Sequence, residues 1–341
     1  MTVMTMTKST RNVILLLLFP MLFWACTRSE APYKQSMHIK AQPVEMQIMR
    51  YDKAFFEADT NNFQQAMENL SSDYRLFLDG NLSDPEILSY LRDFATDPFA
   101  RSIYQKVVSK YPDNESIESL VRDVIARINY YYPEKKLSGK VYTCILGLDQ
   151  FNAPVFFDND NDIVISLDFY LDNDDVYARV GIPQYRSLRT YGCYVARDLA
   201  KEYYDTYIKE ESEQGNLLDE MVKAGKALFF VEAANPDMPD TVLLGYTDKQ
   251  LAWIKETEGE VWRDIVGSSK LYSSQREVFM MMLNDGPFTQ QYSYDAPSRI
   301  GEYIGLQIIR SYMNRNKVDL QNLLGDKDIQ GIFNESGYRP K

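Results

Sequence analysis

The spacing of apolar residues changes along this chain and constrains its fold more than any other feature. In the first and last thirds, apolar residues recur every three or four positions, which is typical of helices with one face in a core. The middle instead contains short runs rich in β-branched and aromatic residues, which predict strands. Strands are expected at 140–146, 154–157 and 162–167, with a further one at 44–51.

The predicted helices outnumber the strands and begin at polar residues suited to capping. Asp84, Asp97 and Asn114 each stand at the start of a predicted helix, where a side chain can accept hydrogen bonds from free backbone N–H groups. Because few strands lie among many helices, we expect an α+β fold rather than alternating βαβ units. Helices are predicted at 60–79, 84–95, 97–110, 114–131, 186–209, 215–231, 247–266, 275–283 and 299–315, with a short pair near 319–335.

The body of the chain shows no internal boundary. No polar linker divides residues 44–341, so this segment is predicted to form one predominantly helical domain with a small sheet. In the helix at 299–315, Gly301 and Gly305 lie four residues apart and let another element approach closely. Because each glycine inside a helix costs about 1 kcal/mol relative to alanine, we expect close packing here to offset that cost.

The first residues have the organisation of an export signal. Two basic residues precede Val13–Trp24, an apolar run that is shorter than the about 20 residues of a membrane-spanning helix. Small Ala25 then precedes Cys26, and this order resembles a bacterial lipoprotein signal, in which the cysteine carries acyl chains such as palmitate. We predict a signal peptide at 1–25 and lipid attachment at Cys26. Ordinary secretory cleavage, with Cys26 a plain thiol, is the alternative.

The segment after Cys26 is predicted to be a flexible tether. Residues 26–43 are largely polar, contain two prolines and show no periodicity. His38, the single histidine of the chain, lies in this segment. We expect it to be exposed to solvent rather than to bind a metal or act as a base.

Charge and histidine content exclude several classes of function. Loss of residues 1–25 leaves 35 basic residues against 49 acidic ones, a net charge of −14, and an acidic surface disfavours nucleic acid binding. Serine triads, papain-like dyads and HExxH zinc sites all need an imidazole at the reaction centre. Because the only imidazole lies in the predicted tether, we expect no catalytic, metal or cofactor-binding residue and no enzyme activity.

Two polar patterns allow more than one interpretation. Asp158–Asp162 places oxygens at alternating positions, but the run lies between two predicted strands and lacks the glycine and glutamate of a calcium loop, so a hairpin turn is favoured over a weak cation site. Tyrosines cluster at 130–132 and 203–204, where packing in the core is favoured over a glycan-binding platform.

Cys144 and Cys193 remain after the signal. An oxidising compartment would allow them to form one disulfide, while two buried apolar thiols are the favoured interpretation.

Several motifs, in order along the chain, resemble the gliding-motility lipoprotein GldB family. The resemblance implies a lipid-anchored cell-envelope protein of Gram-negative bacteria, with envelope protein partners in a motility and secretion apparatus. Separately, Thr27–Glu30 lacks the acidic run of a surface-export tag, which favours a periplasm-facing protein. No catalytic activity is established for the family. The motifs are Arg50–Asp52, Ile165–Leu171, Gly225–Lys226, Leu244–Gln250, Trp253, Glu260–Arg263, Lys270–Ser273, Asp285–Phe288, Ser298–Gly305 and Gln307–Met313.

The same family is distantly similar to predicted zinc peptidases that carry HExxH on a helix, which implies a degenerate zincin-like scaffold. Here the corresponding helix, Tyr191–Glu202, contains no histidine, and Ala224 precedes Gly225 where an acidic residue is expected in an active relative. Two alternative functions stay open beside the non-catalytic one. One is a hydrolase on a peptidase-like scaffold that either uses carboxylates alone or recruits His38, and the other is a glycan-binding lipoprotein.

Overall fold

The computed structural model describes residues 31–148, 153–158, 160–211 and 213–341. Cys26 and the predicted signal peptide lie outside these residues. None of the described helices is both long enough and apolar enough to cross a bilayer. The described residues form one α+β body that is mostly helical, which confirms the predicted fold class.

A sheet lies at the centre of the first half of the chain, with four strands among the described residues. The order of strands across it is β1-β2-β4-β3, with β1, β2 and β4 parallel and β3 antiparallel to β4. Every predicted strand is present, each shorter than expected by one to four residues. The strands are β1 (Gln47–Arg50), β2 (Lys140–Cys144), β3 (Val155–Phe157) and β4 (Ile163–Ser166).

The acidic run between β3 and β4 is a hairpin turn, as predicted. The Asp158 carboxylate accepts hydrogen bonds from the backbone N–H groups of Asp160 and Asp162 at 2.9 and 2.8 Å. Asn161 takes a left-handed backbone conformation, which asparagine tolerates well in turns. These bonds use Asp158 to shape the backbone.

Helix α1 precedes the first strand and helices α2 to α6 follow it. Capping residues explain where α4, α5 and α6 begin. Asp84 and Asp97 cap α4 and α5 as predicted. The cap of α6 is Asp113, one residue before the predicted Asn114, and it accepts a hydrogen bond from the backbone of Ser116 at 2.9 Å. These helices are α1 (Pro32–Ser36), α2 (Tyr51–Phe56), α3 (Phe63–Leu70), α4 (Pro85–Thr96), α5 (Pro98–Lys110) and α6 (Asn114–Tyr131).

Helices α7 to α16 follow the sheet. The long helix predicted at 186–209 is interrupted before Tyr194, and its last turn, Tyr204–Ile208, is π-helical. The helices are α7 (Asp175–Arg179), α8 (Gln184–Ser187), α9 (Tyr194–Tyr203), α10 (Leu217–Ala234), α11 (Asp240–Leu244), α12 (Asp248–Gly267), α13 (Arg276–Leu283), α14 (Ile300–Arg315), α15 (Leu320–Gly325) and α16 (Ile329–Ser336).

Helices α10 and α14 make the most extensive contact between two elements in the described chain. Gly305 of α14 faces Gly225 of α10, and a methyl group added at Gly305 would lie 1.7 Å from the carbonyl oxygen of Met221. Gly301, one turn earlier, lies against Met221 and Leu283. The close packing predicted from Gly301 and Gly305 is therefore confirmed, and the partner is α10.

Part of the predicted tether is folded, so that prediction is wrong for residues 32–37. Tyr33 and Met37 lie four residues apart, so α1 presents both on one face, and both are buried in the core. The Tyr33 ring lies 5.7 Å from that of Phe229, and Arg127 Nη1 donates to the backbone oxygen of Met37 at 2.8 Å. His38 is exposed, as predicted.

The tyrosine and cysteine predictions are confirmed in part. Tyr131 and the pair 203–204 are buried in the core, whereas Tyr130 is 52% exposed. Cys144 is a buried free thiol and Cys193 an exposed free thiol, so the structure contradicts both a disulfide between them and burial of Cys193.

Candidate functional site

A cavity of about 840 Å³ lies beside the helix pair α9 and α10. Arg197 and Lys201 reach it from α9, because residues four apart share one helix face. Ala224 and Lys226 reach it from α10, and Arg299 from the start of α14. We call this the α9–α10 cavity. Its volume lies within the range of about 300–1,000 Å³ that is usual for ligand pockets.

The inner wall of the cavity is apolar. Helix α10 contributes apolar side chains to this wall, and neighbouring elements contribute the others. These residues are Ile208, Ala227, Leu228, Val231, Leu283 and Leu324.

The charged residues at the edge of the cavity are largely paired with one another. Lys201 contacts Asp205 at 2.5 Å, and Lys223 contacts Glu220 at 2.9 Å. Ion pairs that are open to solvent contribute little to stability and neutralise each other locally. The edge therefore has little net charge of its own.

Lys226 differs from the other cations of the cavity. Its side chain is 4% exposed, and its Nζ donates to the backbone oxygen of Asp326. Burial lowers the pKa of Lys226, although the charges of Asp326 and Glu210 oppose this effect. Among the residues that the structure describes, no carboxylate lies within ion-pair distance of this Nζ. An ammonium group has three donors, so two are left for another partner.

Arg299 closes the cavity from the other side. It is the N-cap of α14, in a left-handed conformation (φ 55°), and its side chain is buried. Nη1 bonds to Glu302 at 3.0 Å and Nη2 to the backbone oxygen of Leu244 at 2.7 Å. Nε lies 3.2 Å from Asp285 Oδ1, but its N–H is not directed at that oxygen and makes no hydrogen bond within the described structure.

A family model described as gliding motility protein GldB matches residues 33–340. The chain belongs to the GldB family. The match begins at Tyr33, the buried residue of α1, so it includes the short helix that the sequence pattern did not predict. Neither a curated protein nor a solved structure matches this GldB-family chain. The expected likeness to a zincin scaffold stays a prediction.

Two motifs of this GldB-family protein, Arg50–Asp52 and Ile165–Leu171, lie at the sheet and not at the α9–α10 cavity. Arg50 and Asp52 form a buried ion pair at 2.6 Å, and Thr143 Oγ1 donates to Asp52 at 2.5 Å. Asp168 is buried, which raises its pKa, and Ser166 Oγ donates to it at 2.5 Å. Because these polar groups are bonded to neighbours inside the core, they fix the ends of β1 and β4.

The structure brings together three residues of the two helices that the zinc-peptidase comparison singled out. Arg197 and Lys201 on α9 meet Ala224 of α10 at the α9–α10 cavity. Lys226, in contrast, appeared in the sequence only as part of a family motif, with no role assigned. Its signal is a lysine that directly precedes an apolar stretch, 227–231, in a helix that is buried on most sides. Cys26, the predicted lipid attachment residue, lies outside the described residues.

Asp285 of the motif Asp285–Phe288 joins two arginines near the cavity. Burial raises the pKa of its carboxyl group, but the nearby charges of Arg189 and Arg299 outweigh burial and hold that pKa below its usual range. Arg189 Nη1 bonds to it at 2.9 Å. The carboxylate therefore stabilises the fold at neutral pH by neutralising these partly and fully buried cations.

Replacing Asp285 with asparagine is expected to lower the free energy of unfolding at pH 7 by about 1–2 kcal/mol, because Arg189 loses its hydrogen-bonded carboxylate and Arg299 loses a charged neighbour. The contribution of a carboxylate with a lowered pKa is present above its unfolded pKa of about 3.9 and is lost as the pH falls through the folded value. The difference between wild type and Asp285→Asn should therefore shrink below about pH 4. Urea unfolding at several pH values measures it.

The matched control is Asp295→Asn, which alters an exposed ion pair with Lys249. We expect this variant to follow the wild-type curve closely at every pH. A gap between wild type and Asp285→Asn that stays constant down to about pH 3 would contradict the lowered pKa.

Proposed function

We propose that this GldB-family protein is a lipid-anchored, non-catalytic envelope protein that binds and stabilises protein components of a motility apparatus and its associated secretion machinery. The observation that carries the proposal is the family match, which extends over residues 33–340 and so over nearly the whole described body. We place the body on the periplasmic side, because Thr27–Glu30 lacks the acidic run that is expected of a surface-export tag.

The chemistry of the α9–α10 cavity supports a non-catalytic role. A catalytic zinc ion needs neutral imidazoles, thiolates or carboxylates as ligands. Arg197 and Lys201 are cations that repel a metal ion, and both are already ion-paired, to Asp198 at 2.8 Å and to Asp205 at 2.5 Å. The only histidine, His38, does not line the cavity.

The sequence pattern before Cys26 supports the lipid anchor. Burial of acyl chains in a bilayer is favourable by about 0.8 kcal/mol for each CH₂ group. An acidic body gains no electrostatic attraction to anionic lipids, so the acyl chains alone would hold the protein at the membrane.

A deletion and complementation experiment tests function and anchor together. We expect loss of the gene from its native host to reduce surface spreading, secretion and the level of the envelope proteins that cross-link to this protein. Wild type and Cys193→Ser should restore all three, because Cys193 is an exposed thiol without an assigned role. Cys26→Ser should not restore them, since serine cannot take the thioether-linked lipid.

Metabolic labelling with a palmitate analogue shows whether the anchor is formed. Wild type and Cys193→Ser should carry the label in the membrane fraction, whereas Cys26→Ser should lack it. Unchanged spreading, secretion and partner levels in the deletion strain would contradict the proposed function. Turnover of peptides or glycans by the purified mature protein would contradict its non-catalytic part.

A further inference from the structure

We propose that the α9–α10 cavity is a binding site for an amphiphilic anion, a molecule with one carboxylate or phosphate group on an apolar chain. Lys226 binds the anionic group, and the apolar inner wall holds the chain. This site is additional to the proposed contact with protein partners and does not depend on it.

The first argument is the charge of Lys226. Lys226 lies at the cavity wall and is 4% exposed as a residue, and its Nζ uses one of its three donors on the backbone oxygen of Asp326. Burial of an ammonium group is costly unless an anion or several hydrogen bonds compensate. Among the described residues, the carboxylates at the cavity edge bond instead to other cations, such as Glu220 to Lys223. Asp326 and Glu210 act on Lys226 only from beyond ion-pair distance, so an incoming anion would supply the direct ion-pair partner that no described carboxylate provides.

The second argument is the shape and chemistry of the wall. Ala227, Leu228 and Val231 of α10 continue along the cavity beyond Lys226, and Leu283 and Leu324 face them from other helices. A cavity of about 840 Å³ is larger than a small inorganic anion needs. The apolar surface is buried favourably only if the anion carries an apolar chain.

The third argument is the second buried cation. Arg299 lies at the same cavity, is 6% exposed, and has an Nε that makes no hydrogen bond within the described structure. Because Arg299 is already paired with Glu302 and Asp285, the positive charge at this cavity that has no ion-pair partner among the described residues is that of Lys226, and it favours an anionic ligand over a cationic or neutral one. The described residues contain no group of acidic, histidine or cysteine side chains that could hold a metal ion.

Calorimetric titration of the mature protein with single-chain amphiphiles below their micellar concentrations tests the proposal. The probes are dodecanoate, dodecyl phosphate, dodecanol and dodecyltrimethylammonium. We expect at least one of the two anions to bind about tenfold or more tightly than dodecanol, because a hydrogen bond to a charged group is stronger than one to a neutral group. The two anions distinguish a carboxylate ligand from a phosphate ligand.

Two variants and one control variant connect the binding to the cavity. Lys226→Met should remove the preference for anions but keep dodecanol binding, while Lys223→Met, one turn earlier on the same helix and ion-paired at the edge, should keep the preference. Ala227→Trp should weaken binding of every probe, because its side chain would occupy the apolar part of the cavity. Circular dichroism checks that each variant is folded.

Equal affinity of wild type for dodecanoate, dodecyl phosphate and dodecanol would overturn the proposal, as would no binding at all. A preference for anions that survives in Lys226→Met would also overturn it. If Lys226→Met does not fold, unchanged binding by Ala227→Trp would overturn the proposal in its place, because the amphiphiles would then bind outside the cavity.

Discussion

Gly305→Ala is expected to lower the free energy of unfolding by about 4 kcal/mol or more, or to prevent folding. The added methyl group would lie 1.7 Å from the backbone oxygen of Met221 and 2.5 Å from its carbonyl carbon, and backbone atoms cannot move aside as the end of a side chain can. Helices α10 and α14 would have to separate along their most extensive contact. Chemical denaturation followed by circular dichroism measures the change.

Two other glycines give a graded control for this prediction. Gly325→Ala, at the end of α15, meets nothing within 4 Å and should change stability by less than about 1 kcal/mol, in the stabilising direction. Gly301→Ala should lie between the two, because its nearest neighbour is the movable end of Leu283 at 2.7 Å. Equal stability of Gly305→Ala and Gly325→Ala would show that α10 and α14 are not in such close contact.

Arg310→Met is expected to destabilise the protein by about 3–5 kcal/mol, because it removes the two short hydrogen bonds of the buried Glu232 carboxylate and leaves it only the more distant Lys34, at 3.7 Å, as a cationic partner. Arg310 binds Glu232 through Nε and Nη2, both at 2.9 Å, and Nη2 also bonds to Asp240 at 2.6 Å. Glu232 is 1% exposed, so water cannot replace the guanidinium. Urea unfolding at pH 7 measures the loss.

The double variant Arg310→Met with Glu232→Met should recover most of that stability, since the buried carboxylate of Glu232 is removed together with its partner. The surface control is Lys249→Met, which breaks the exposed pair with Asp295 and should cost less than about 1 kcal/mol. A loss for Arg310→Met no larger than that of Lys249→Met would contradict a buried ion pair. Tyr33 Oη, in α1, also donates a hydrogen bond to Glu232 at 3.4 Å. The rate of proteolytic cleavage within α1 therefore gives a second measurement of whether the contacts of Glu232 are intact.

Local signals predicted much of the fold. The capping residues Asp84 and Asp97 fixed the starts of α4 and α5, and Gly301 with Gly305 marked the face of α14 that meets a neighbour. The helix predicted at 60–79 ends at Leu70, because Ser71 donates its hydroxyl to the backbone oxygen of Glu68 and the polar residues after it favour turns. Such competition between side chain and backbone is decided by about a few tenths of a kcal/mol and is hard to predict.

Features that depend on distant contacts could not be predicted in this way. The burial of Tyr33 and Met37 requires α14 and Phe229, which follow far along the chain, so a polar segment with two apolar residues looked like a tether. The strand order β1-β2-β4-β3 likewise depends on crossovers through helices. The α9–α10 cavity forms only where several helices meet, and the isolation of Lys226 from carboxylates depends on how those helices pack.

The docking of α1 also limits how far the body can stand from the membrane. With Cys26 acylated as we propose, only five residues lead from the lipid to Ala31, and an extended chain spans at most about 3.6 Å per residue. The bilayer surface therefore lies within about 18 Å of the start of α1. A linker that short would keep the side of the protein that carries α1 close to the lipid headgroups.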